Sequence, residues 1–69
     1  MAAPIRTFGD VRAEIARVGL RNAAVARQMG MAPAVFSHVT GDLAARPSPE
    51  WTQRFLDALS ALTRGIPSA

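Results

Sequence analysis

Apolar residues recur along this chain at steps of three and four rather than in alternation, and the elements they predict are helices. Phe8, Val11, Ile15 and Val18 define one face of a first helix. Thr7 and Asp10 resemble a capping pair at its start, with Asp standing where the longer Glu or Gln is usual. Gly19 ends that helix, and Leu20 is placed to pack the connection against the core. Asn22 is a good N-cap for a second helix running to about Met29. Gly30, Met31 and Ala32 make a turn, and Pro33 takes the first position of a third helix, where its missing N–H costs nothing. The segment from Thr40 to Arg46 is a loop broken by Gly41 and Asp42. Ser48 then caps a fourth helix, Pro49 takes its first position and Glu50 sets negative charge against the positive end of the helix dipole. Trp51, Phe55, Leu56, Leu59 and Leu62 trace its apolar stripe; Gly65 and Pro67 stop it, and Ile66 is placed to fold back. Residues 1 to 6 lack periodicity and carry Pro4, which predicts a flexible arm ending in Arg6. Hairpin turn signals are missing, so the expectation is an all-α chain.

The length of 69 residues leaves room for one domain spanning 1–69. A chain this short buries little core and needs compact helices, oligomerisation or a staple. The staple is excluded: there is no cysteine, and one histidine cannot form a zinc site. No apolar run approaches the ~20 residues of a membrane span. No signal-peptide core follows the opening Met1-Ala2-Ala3-Pro4. A soluble, cytoplasmic protein without membrane association is expected. The net charge is +3, and all eight basic residues are arginine. Arginine suits bidentate contacts to phosphate and to guanine edges. GC-rich codon usage explains the missing lysine at least as well, so the placement of the arginines decides.

Residues 22 to 41, NAAVARQMGMAPAVFSHVTG, fit a helix-turn-helix almost position by position. Small Ala26 falls where the two helices cross closely. Gly30 falls where the first of them must end in a left-handed conformation. Val25, Met29, Met31, Phe36 and Val39 fill the inward places. The second helix of such a unit is the part that enters the DNA major groove.

The chain resembles the lambda-repressor-like, Cro-type helix-turn-helix family of small DNA-binding regulators. The resemblance covers roughly residues 7 to 63. It rests on the preceding helix, on GLRNAAVARQMGMAPAVFSHV and on RPSPEWTQRFLDAL with its Ala58-Leu59 pair. It implies a compact fold of four to five helices, a homodimer in many members, and operator DNA as ligand. Two departures stand out. Ala32 and Pro33 replace the Ser or Thr and then Gln common at the start of the recognition helix, so that Gln contact does not carry over. Gly41 arrives early, and Leu43-Ala44-Ala45 lengthen the loop.

Outward on the third helix lie Ala32, Pro33, Ala34, Ser37, His38 and Gly41. Base contacts are expected from Pro33, Ala34, Ser37 and His38, with His38 the leading reader. A solvated histidine, and a Ser37 bonded to the preceding turn, are the competing readings. Ala34 and Val35 are placed to meet thymine methyl groups, although Val35 also suits a plain surface or dimer contact. Backbone clamps are expected at Arg21, Asn22, Arg27, Thr40 and Arg46, with a solvated arginine the default for any one of them. Arg6 on its arm suits a narrow minor groove. Arg12, Arg17, Arg54 and Arg64 are read as solvated. Leu56, Leu59, Leu62 and Ile66 are the expected dimer surface, since a small core cannot obviously cover them all. The acids Asp10, Glu14, Asp42, Glu50 and Asp57 are scattered, and no nucleophile sits beside a base, so no enzymatic role is expected. No cofactor, metal or small-molecule effector is expected either. The expected function is a homodimeric, Cro-like repressor of phage, prophage or bacterial type on a pseudo-palindromic operator. The alternative is an adaptor, antitoxin or inhibitor that binds a protein through the same fold.

Overall fold

In a computed structural model that describes residues 5–64, four helices follow one another: α1 (Phe8–Arg17), α2 (Asn22–Gln28), α3 (Pro33–Val39) and α4 (Pro49–Thr63). No strand occurs among the described residues. Each start has a local cause. The Thr7 hydroxyl accepts from the Asp10 N–H while the Asp10 carboxylate accepts from the Thr7 N–H, a complete capping box. Ser48 accepts from the Trp51 N–H at 3.1 Å, with Pro49 behind it. Pro33 opens α3 after an extended Ala32.

The exits of α1 and α2 are built alike. Gly19 and Gly30 both take φ +76°, a conformation that side chains with a Cβ rarely adopt. The next N–H, from Leu20 or Met31, reaches back to the carbonyl of Ile15 or Ala26, at 3.1 and 2.8 Å. These are Schellman motifs, and each turns its following apolar residue, Leu20 or Met31, onto the core. Because the first exit is so tight, α2 starts one residue earlier than expected. Arg21 is the extended cap residue, and Asn22 already lies in the helix without a side-chain cap bond.

Helix α2 packs against α1, α3 and α4. The core comprises Phe8, Val11, Ile15, Val25, Ala26, Met29, Phe36, Phe55, Ala58 and Leu59. Trp51 is its aromatic hub, edge-on to Phe8 at 5.1 Å and stacked on Phe36 and Phe55 at 6.1 and 5.9 Å. The stripe of α4 differs from its expected course. Ala58 and Leu59 are buried, Leu62 packs partly against the core, and Leu56 stands exposed. Leu59 therefore belongs to the core rather than to a dimer surface, because Ala58 is small enough to draw that flank of α4 inward. Ile66 lies outside the described residues.

The loop after α3 docks on the start of α1. Phe8 and Gly9, whose N–H groups have no partner within the helix, donate to the carbonyls of Ala45 and Leu43 at 2.9 and 3.0 Å. A Cβ on Gly9 would stand 3.1 Å from the Leu43 carbonyl oxygen, a tight contact that the loop would have to relieve by a few tenths of an ångström. The arm is also shorter than expected. Ile5 packs on the core and the Arg6 N–H donates to Asp10 at 2.9 Å, so the chain is anchored from residue 5 onward. The bonds from the Arg6 and Thr7 N–H groups hold the Asp10 carboxyl below its ordinary pKa. Residues 1 to 4 lie outside the described part.

Candidate nucleic-acid interface

Phe36 anchors α3 from inside, with Val39 half-buried beside it. Helical geometry then puts Ala34 and His38, four residues apart, on one outward line, with Ser37 alongside. All three are exposed. Val35 occupies the neighbouring flank and is 50% exposed. Pro33 is half-buried at the first turn. The expected base-reading set is thus brought to one face, although only Ser37 and His38 carry donors or acceptors there.

The expected clamps divide. Arg21, Arg27 and Arg46 are exposed, and Asn22 is half-buried at the start of α2. Arg6 is also exposed, but its backbone is tied to Asp10. Thr40 is corrected: it is fully buried, and its hydroxyl donates to the Phe36 carbonyl at 2.8 Å. That hydroxyl also accepts from Arg12 at 3.0 Å, so it has no access to a phosphate. A threonine directly after a helix can fold back onto the last turn, and here the core covers it.

Two arginines expected to be solvated serve helix ends instead. Arg12 of α1 crosses to the end of α3, where its Nε donates to the Thr40 carbonyl at 3.2 Å and its Nη2 approaches the Ser37 carbonyl at 3.5 Å. Arg54 of α4 donates to the Met29 carbonyl at the end of α2, at 3.3 Å. Both place positive charge where carbonyls and the helix dipole are negative. The Arg12 contact matters more, since α3 has no left-handed glycine at its exit. Arg17 is also engaged, through Nε and Nη2, with the two carboxylate oxygens of Glu14. Its hydrogen bond lowers the pKa of the Glu14 carboxyl, and the same bond raises that of Arg17. Nothing in sequence spacing marks Arg12 or Arg54, since each lies on the flank of its own apolar stripe and its partner is twenty-five or more residues away.

Replacing Arg12 with alanine is expected to lower stability by about 1.5–3 kcal/mol, the range for hydrogen bonds to charged groups. Hydrogen exchange should show protection lost first at the end of α3. Uniform loss over all four helices would mean that Arg12 has no particular hold on that end.

The electrostatics of this face follow from the chain. No acidic residue occurs between Ile15 and Gly41, whereas Arg17, Arg21 and Arg27 do. Arg17 is paired with Glu14 on α1, so the positive charge on the surface made by α2 and α3 comes from Arg21 and Arg27. Among the described residues no group of His, Cys, Asp or Glu is placed to hold a metal ion, and no helix is long and apolar enough to cross a membrane. Comparison with family models, curated proteins and solved structures gives no match.

Proposed function

We propose that this protein is a sequence-specific DNA-binding regulator, with α2 and α3 as a lambda-repressor-like helix-turn-helix. The observation that carries this reading is the exposed line of Ala34, Ser37 and His38 on a helix within an acid-free, arginine-bearing segment. Helix α3 enters the major groove, His38 and Ser37 read base edges, and Arg21, Arg27 and Arg46 meet phosphates. A homodimer sets two such helices roughly 34 Å apart on a pseudo-palindromic site. Among the described residues of the expected dimer surface, Leu56 of α4 is the exposed one available for that contact. Occupying promoter DNA makes the protein a repressor, and no catalytic step is involved.

The test is selection of duplexes from a random library, followed by binding of the Ser37→Ala, His38→Ala double variant. The variant should discriminate between selected and scrambled duplexes at least about tenfold less well, as expected for lost base contacts worth about 1–3 kcal/mol each. Affinity for the scrambled duplex should hold. Equal losses on both duplexes would make Ser37 and His38 backbone contacts. A wild-type protein that binds no duplex even at low salt would overturn the proposal. The adaptor reading would then take its place, supported by the exposed Val35 and Leu43.

A further inference from the structure

The outward surface of α3 is chemically divided along its length. Its start presents Ala32 at the cap, with Ala34 and Val35 in the first turn, all exposed and all hydrocarbon beyond the backbone. Its second turn presents Ser37 and His38. In the major groove guanine, cytosine and adenine are recognised through hydrogen-bonding groups, and the one methyl group is that on C5 of thymine. Setting Ala34 and Val35 against a G·C pair would strip water from base acceptors and donors without replacing a single bond, which is costly. Against thymine the same side chains bury methyl on methyl. From these observations we infer that the half-site read by α3 holds thymine opposite the first turn, recognised through its methyl group and not through hydrogen bonds. The inference rests on the DNA-binding reading above and adds to it the class of base that the apolar turn selects.

The register follows from dimensions. Ala34 and His38 are separated by about 6 Å along the helix at 1.5 Å per residue. Base pairs rise about 3.4 Å. The thymine methyl therefore lies within about two base pairs of the position read by His38, on the side facing the start of α3. Each methyl buried in this way contributes about a fourfold gain in affinity.

The experiment uses the full chain and a duplex taken from random-library selection. Each thymine is exchanged singly for deoxyuridine, which removes the methyl and leaves the pairing edge unchanged. One or two thymines per half-site should show about fourfold weaker binding. With Val35→Ala or Ala34→Ser, the penalty at those positions should fall toward unity, while other thymines stay silent. Val35 is half-exposed, so its replacement leaves the core intact. Selected sites that bind well but tolerate uracil everywhere would overturn the inference and leave the DNA-binding reading standing. Uracil penalties that persist unchanged in both variants would place the methyl contact elsewhere and also overturn it. A library with no enriched duplex would overturn both, and would point to a protein as the occupant of the apolar turn.

Discussion

Phe36→Ala is expected to destabilise the protein by about 3–5 kcal/mol, the usual cost of emptying an aromatic site in a closed core. Phe36 is fully buried, and its ring is stacked on Trp51 at 6.1 Å. Few neighbours are free to collapse into the gap, since Trp51 is itself held by Phe8 and Phe55. A domain of this size has a total stability of about 3–10 kcal/mol, so the loss is a large share of the whole. Urea unfolding followed by circular dichroism measures it directly. The melting temperature should fall by about 4–8 °C for each kcal/mol. The neighbour makes the control: Val35→Ala, on the exposed side of the same helix, should change stability by less than about 0.5 kcal/mol. If the two substitutions cost the same, α3 does not pack through Phe36. The consequence reaches function, because the same ring that closes the core also fixes the pitch of the outward line of Ala34, Ser37 and His38.

Removing Arg21, Arg27 and Arg46 together is expected to have the largest effect on binding. Each arginine that neutralises a phosphate adds about 0.9 to the slope of log affinity against log salt, through release of condensed counterions. Three such contacts amount to about a 500-fold change in affinity over a tenfold change of salt. The triple alanine variant should lose that share of the slope. Phosphates are the same in every sequence, so any duplex of fixed length serves, and no operator needs to be known. Arg54→Ala is the control for the loss of one charge, because Arg54 donates to the Met29 carbonyl and should leave the slope alone. An unchanged slope in the triple variant would put the phosphate contacts on other residues. A drop in Arg54→Ala about one third that of the triple variant would reduce the effect to net charge and remove the case for these three positions.

The elements themselves were legible in the chain because their causes are local. A capping box, two glycine exits, Pro33 and the Ser48-Pro49 start each act within one helical turn. The three- and four-residue spacing of Phe8, Val11 and Ile15, and the inward set of Val25, Met29 and Phe36, likewise needed no partner to be read. One local detail escaped, the start of α2 at Asn22, because the tight exit through Gly19 and Leu20 consumed the residue that a separate cap would have used. On α3 the outward positions of Ser37 and His38 were legible for the same reason: once Phe36 is inward, helical pitch leaves them outside.

Tertiary structure decided the rest. Thr40 and Arg12 lie far apart in the chain, and only the packed fold brings the Arg12 side chain to the end of α3 and joins them into one hydrogen-bonded unit. The loop carbonyls of Leu43 and Ala45 meet the start of α1 only in the packed fold, where the missing side chain of Gly9 leaves room for the Leu43 carbonyl. Whether Leu56 or Ala58 faces the core depends on the rotation of α4 about its axis, which its neighbours set and its own stripe leaves ambiguous by one position. The physical reason is one of range. Periodicity and capping report the free energy of a segment with itself, whereas a helix flank acquires its partner only when several segments have packed.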